Sequence, residues 1–169
     1  MSKAFTRESD DALESHSLPP LRSPLPPGAK NYLTPDGAKR LQTELDALAA
    51  QRATLVAVPD AAKDKSRLLA LDQRILRLQQ SLSTAIITAP PLPPWDQVRF
   101  GATVTVRNTR GEETQYRIVG VDETDLDRNW VSWLSPIAKA LLNARRKQTV
   151  RFKFPSGEEQ LEILDIRFD

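Results

Sequence analysis

The chain has 169 residues, 40% of them hydrophobic and 27% charged, enough for one ordinary domain plus an extended element. With no Cys and one His, disulfides, thiolate metal sites and multi-histidine centres are excluded, leaving carboxylates, hydroxyls and cations as the available chemistry. The net charge of +2 is too small to imply nucleic-acid binding, and no stretch reads as a secretory leader or a membrane span, so a cytoplasmic protein is expected.

Residues 1–30 carry prolines at 19, 20, 24, 26 and 27 and little periodicity. Such a segment buries too little apolar surface to offset its ordering entropy, and a disordered or polyproline-like tail is expected. His16 lies within it without neighbouring ligand types, so neither a metal nor a catalytic role is expected there.

Residues 31–88 read as two helices in a hairpin. Ala38, Leu41, Leu45, Leu48 and Leu55 form one narrow apolar stripe, and Leu68, Leu71, Ile75, Leu78, Leu82 and Ala85 form another. Thr34 suits an N-cap and Pro35 the first helical position, where its missing N–H has no partner to lose. Pro59 ends the first arm and Asp60 can cap the second. A short turn between two striped helices forces them antiparallel, with arms of roughly 35–40 Å. Arg52 falls in the seam, so its stem is expected to pack while its charged head escapes sideways.

Four prolines in residues 89–97 make a semi-rigid joint. From 98 to 169 the periodicity changes to that of strands: GATVTVRN, ETQYRIVGV, WVSWL, then QTVRFKF and EQLEILDIRF around Pro155-Ser156-Gly157. One helix, IAKALLN after Ser135-Pro136, is expected to cover the sheet through Ile137, Ala140 and Leu141. The fold class is therefore α+β: a helical hairpin, then an antiparallel sheet of about five strands with one short helix. Trp95, Trp130 and Trp133 suit packing or a ligand cage, and the odd spacing of the last two puts at most one in the core.

Charge is uneven in this half. Asp122, Glu123, Asp125 and Asp127 cluster just before a span from Arg128 to Gly157 that has no acid but contains Lys139, Arg145, Arg146, Lys147, Arg151 and Lys153. The domain is either electrically polarised or carries solvated loops of opposite sign.

Two regions resemble the Gre family of bacterial transcript-cleavage and elongation factors, closest to its GreB branch. Tyr32-Leu33-Thr34-Pro35-Asp36-Gly37 with Leu41, Glu44-Leu45 and Leu48 is similar to the family's T-x-x-G-x-x-x-L-x-x-E-L opening. Arg67-Leu68 with Leu71-Asp72-Gln73-Arg74-Ile75 is similar to its second-helix pattern. Phe100-Gly101-Ala102-Thr103-Val104, Tyr116 to Gly120, Ser135 to Leu142 and Pro155-Ser156-Gly157 match further on. The resemblance implies an FKBP-like C-terminal domain, without isomerase activity, at the rim of the RNA polymerase secondary channel, and a hairpin entering that channel. Ser135, Pro136, Ile137, Lys139, Asp122 and Glu123 are then the expected polymerase contacts. Arg145, Arg146 and Lys147 are expected near RNA or DNA phosphates. A monomer is expected, with no membrane association.

The departures bear on function. Family members that stimulate cleavage carry an acidic tip resembling G-D-x-S-E-N-A-D-Y, whose carboxylates help hold the polymerase's second Mg²⁺. This chain lacks that Asp-x-x-Glu pair, and roughly a dozen missing residues would shorten each arm by ~10 Å. Asp60 and Asp64 are the acids left near the turn, among Lys63 and Lys65, and are the catalytic candidates. Lys147-Gln148 replaces the family's usual Gly-Asp. An accessory factor is expected, not an enzyme, with no cofactor of its own beyond Mg²⁺ shared with the polymerase. The alternatives are a genuine cleavage factor using Asp60 and Asp64, and a basic nucleic-acid-binding module.

Overall fold

The computed structural model describes residues 25–57 and 65–168. The expectations for the tail before Leu25, for the Pro59 turn, and for Asp60 and Asp64 lie outside the described residues.

A two-residue strand, β1 (Tyr32–Leu33), leads into α1 (Pro35–Ala57). Thr34 caps α1 as the sequence predicts, its Oγ1 accepting the Gly37 N–H at 3.0 Å. The second arm is α2 (Lys65–Thr84), and β2 (Ile86–Ile87) follows it. Leu41, Leu48, Leu71 and Leu78 are buried along the seam, flanked by Leu45, Leu55, Ile75 and Leu82, so both stripes meet as expected. Ion pairs across it fix the antiparallel register: Glu44 with Arg74, whose Nε donates at 2.9 Å, and Arg52 with Asp72. The Arg52 head thus leaves the seam, as a charge must when no buried partner exists.

β1 and β2 pair in parallel at the hairpin base, with Ile86 N–H donating to Asn31 O at 2.7 Å and Thr88 N–H to Leu33 O at 2.9 Å. The Asn31 amide donates to Ser81 O at 2.8 Å and to Thr84 Oγ1 at 3.1 Å, which ties the entering chain to the end of α2. Two-residue strands carry no periodicity, and the sequence offered no sign of them.

The second domain is a five-stranded sheet of order β5-β4-β3-β7-β6. Its elements are β3 (Ala102–Asn108), β4 (Glu113–Val119), a 3-10 turn (Val121–Glu123), β5 (Trp130–Ser132), α3 (Pro136–Leu141), β6 (Thr149–Phe154) and β7 (Gly157–Phe168). Ala102, Val104 and Val106 alternate inward on β3, joining Ile118, Leu141, Leu161, Ile163 and Ile166 in one core. The β3–β7 register shifts between Thr105 and Val106, which pair with Asp165 and Ile163 and leave Leu164 of β7 as the extra residue.

Three expectations need correction. The sheet is not wholly antiparallel: β5 runs parallel to β4, pairing Arg117 with Trp130 and Val119 with Ser132. Residues 120–129 reverse the chain twice, through the 3-10 turn and a loop closed by Asp125 and Trp130, so β5 returns in the direction of β4. On α3, Ala138 is fully buried with Ile137 and Leu141, while Ala140 is half-buried. β5 also ends at Ser132, so the odd-spacing argument does not reach Trp133. Trp133 packs on the core and against Tyr32, their ring centroids 5.1 Å apart, and Trp95 packs on the core beside Phe168.

Candidate functional site

The hairpin meets the sheet at its base, and the contact is built around Glu123. The 3-10 turn sinks this side chain until the residue is only 2% exposed. Its Oε2 accepts the N–H of Gly120, in its own turn, at 3.0 Å and the N–H of Thr34, in the other domain, at 2.9 Å. Its Oε1 accepts the Thr34 hydroxyl and lies 3.8 Å from the Arg40 guanidinium. A buried carboxylate is tolerable only when so furnished with donors.

Two glycines make room for it. A Cβ on Gly37 would stand 1.9 Å from Glu123 Oε1, and one on Gly120 would stand 2.2 Å from the Tyr32 carbonyl. Thr34 and Gly37 therefore do two jobs at once. They cap α1, and they form the half-socket that receives the carboxylate of the second domain.

A second layer surrounds this contact. Asp122 accepts from the Ser81 hydroxyl and sits 3.6 Å from Arg77, so it too faces the hairpin. Arg117 of β4 lies 3.8 Å from Asp36. The Trp130 ring is flanked by the guanidinium groups of Arg40, Arg117 and Arg128, at 4.6, 4.9 and 5.4 Å from its centroid. The Arg117 Nε has no hydrogen-bond partner among the described residues, and cation–π attraction to Trp130 offsets part of that loss. A cavity of about 230 Å³ opens beside the joint between Thr34, Asp36, Pro90 and Arg117.

These positions redraw the expected contact set. Asp122 and Glu123 point into the joint, not outward; a partner cannot reach the Glu123 carboxylate without displacing Thr34. Ile137 is buried in the core, and Ser135 is the N-cap of α3, accepting the Ala138 N–H at 3.2 Å. Pro136 and Lys139 are exposed on the surface. Sequence proximity made Asp122 and Glu123 look like part of a solvated acidic run, when the i to i+3 reach from Gly120 to Glu123 was the available sign of a capped turn.

Of the two readings left open for this domain's charges, electrical polarity or solvated loops of opposite sign, pairing cancels much of the first. Asp125 meets Arg128 at 3.5 Å, Arg146 meets Asp165 at 2.7 Å, and Arg151 and Lys153 flank Glu158. Lys139, Arg145 and Lys147 are exposed and form no ion pair among the described residues. Lys147 holds φ at +67°, a left-handed conformation that suits the glycine usual in the resembled family. Among the described residues no group of three His, Cys, Asp or Glu side chains could hold a metal ion, and no helix is long and apolar enough to cross a membrane.

Residues 93–168 match the model of the C-terminal domain of the transcription elongation factors GreA and GreB. The GreB of Neisseria meningitidis serogroup B is 36% identical over 154 residues, covering 82% of this chain and 94% of that protein. The chain belongs to the GreA/GreB family. An alignment of that extent takes in the hairpin as well as the sheet domain. The GreB of Yersinia pestis is 34% identical over 152 residues, covering 82% of this chain and 89% of that protein. A GreA from Trichlorobacter lovleyi is 38% identical over 112 residues, covering 65% of this chain and 69% of that protein. Among solved structures, the GreA/GreB factor from Nitrosomonas europaea is 22% identical, covering 82% of this chain and all of that one, with a TM-score of 0.41. As a GreA/GreB factor, this chain is a Gre-like elongation factor with an α+β fold.

Proposed function

We propose that this protein binds RNA polymerase at the secondary channel and modulates transcription there without efficient stimulation of transcript cleavage. The observation that carries the reading is the joint: a buried carboxylate, received by the cap of α1, holds a slender rod against a globular domain. At 1.5 Å per residue the arms extend roughly 30–35 Å from that anchor, so docking of the domain fixes where the far end lies. Pro136 and Lys139, exposed on α3, are the surface residues on which docking at the channel rim is best tested. The protein is an accessory factor with no cofactor of its own, acting as a cytoplasmic monomer.

Loss of cleavage stimulation is supported by the sequence between the arms. VPDAAKD holds two acids, Asp60 and Asp64, without the spacing of the family's acidic tip. A carboxylate displaced by a few ångströms cannot ligate the same ion, and any Mg²⁺ would be the polymerase's own. In purified backtracked complexes the protein is expected to leave RNA uncleaved and to inhibit a competent cleavage factor added with it. Stimulated cleavage that Asp60→Ala/Asp64→Ala abolishes would establish the genuine cleavage factor instead. Lys139→Glu is expected to weaken polymerase binding; undiminished binding would count against docking through α3. Lys139, Arg145 and Lys147, which form no ion pair among the described residues, favour one further reading, contact with nucleic-acid phosphates. That reading requires an affinity that falls steeply with salt.

A further inference from the structure

The outer face of α2 carries an apolar pair that the hairpin does not use. Leu69 and Leu76 are 59% and 55% exposed, on the side of the helix opposite the seam leucines. With Gln73 and Gln80 they step by four, three and four residues, which makes one continuous stripe. The chain enters beside this stripe. Leu25, the first described residue, is half-buried and shares a cavity of about 460 Å³ with Arg77, Gln80, Ser81 and Thr84 of α2.

The 24 residues before Leu25 suit the stripe in spacing and in charge. They contain Leu18-Pro19-Pro20-Leu21. In a polyproline helix, with three residues per turn and a rise of about 3.1 Å, these leucines share one side about 9 Å apart. Leu69 and Leu76, seven residues apart on an α-helix, are about 10.5 Å apart along the axis. From Leu25 the extended chain reaches Leu21 in about 12 Å and Leu18 in about 22 Å. From Gln80, Leu76 and Leu69 lie about 6 and 16 Å along α2, so the chain spans the distance with slack. Farther out, Glu14, about 12 Å beyond Leu18 in the same extended form, comes nearest Arg67 and Lys65, about 3 and 6 Å beyond Leu69 along α2, exposed cations that form no ion pair among the described residues.

We propose that residues 1–24 dock on this outer face of α2, with Leu21 against Leu76, Leu18 against Leu69, and Glu14 beside Arg67 and Lys65. The tail then thickens one arm and brings the Glu14 carboxylate toward the far end of the hairpin. It does so whether or not the protein binds polymerase.

The chain has no native Cys, so a nitroxide can be placed on Ser17→Cys of the full-length protein at one site. The expected result is loss of amide signals around Leu69 to Leu76, with signals of the exposed α1 positions Gln42 and Thr43 kept. Leu69→Ser/Leu76→Ser should restore the lost signals, and since both leucines are exposed the remaining spectrum should be unchanged. Equal broadening of both arms, or broadening that survives the double substitution, would overturn the proposal. So would broadening at full strength in an isotope-labelled chain mixed with nitroxide-bearing copies, since the tail would then come from a second molecule.

Discussion

Gly37→Ala tests the joint most severely, because helix propensity and tertiary contact push in opposite directions. An alanine in a helix is ordinarily favoured over glycine by up to ~1 kcal/mol. Here its Cβ would stand 1.9 Å from Glu123 Oε1 and 2.1 Å from Cδ, and the carboxylate must leave its seat. Departure strands the Thr34 N–H, the Thr34 hydroxyl and the Gly120 N–H, buried donors that cost about 1–3 kcal/mol each when unmet. Some of that is recovered as water enters, so Glu123→Ala should cost about 3–5 kcal/mol and Gly37→Ala about 2–4 kcal/mol. With Glu123→Ala already in place the space is vacant. Adding Gly37→Ala should then be neutral or stabilise by up to ~1 kcal/mol. The cycle thus predicts a coupling of at least ~2 kcal/mol. Urea unfolding should be followed by far-UV circular dichroism, dominated by the hairpin, and by tryptophan fluorescence. All three Trp residues lie at 95, 130 and 133, so the second probe reports the sheet half. If Gly37→Ala alone is neutral or stabilising, or if the two costs add, Glu123 does not bind the socket described.

Two further outcomes follow from single residues. Lys147→Gly should raise the unfolding free energy by about 1 kcal/mol, read as a higher urea midpoint with an unchanged m-value, because Lys147 holds φ at +67° while its N–H bonds Ile163 O at 2.7 Å; destabilisation would refute the strain. Tyr116 is held above the ordinary tyrosine pKa, first by burial and then by Glu159. Raising the folded-state value of this phenol adds stability that is full below the unfolded value and lost as pH rises through the folded one. Phenolate absorbance in a Tyr32→Phe background should therefore rise later than in a free tyrosine. Glu159→Gln should recover the smaller part of that delay; complete recovery would contradict burial as the leading cause.

The hairpin was legible because its signals are local. Thr34-Pro35 states where α1 begins, and a stripe repeating every three or four residues states which face meets the partner, so Leu41, Leu48, Leu71 and Leu78 were placed without coordinates. Alternation did the same for Ala102, Val104 and Val106 on β3. Where elements were too short to repeat their period the reading failed: β1 and β2 have two residues each, whereas β5 was read as a strand in WVSWL and only its end and direction were missed. The parallel return of β5 depends on how residues 120–129 fold back, and composition does not record a direction of travel.

By itself the sequence determined the two-part α+β architecture, the antiparallel hairpin and membership of the family, since periodicity, caps and ordered motif blocks are properties of neighbouring residues. Only the tertiary structure decided what Asp122 and Glu123 do. Along the chain they belong to an acidic run; in space Glu123 lies against Thr34 and Gly37, far away in sequence, and the low exposure of its side chain gives the carboxylate more to gain from three fixed donors than from solvent. A charge takes its role from what surrounds it, and those surroundings exist only once the hairpin base has closed on the sheet.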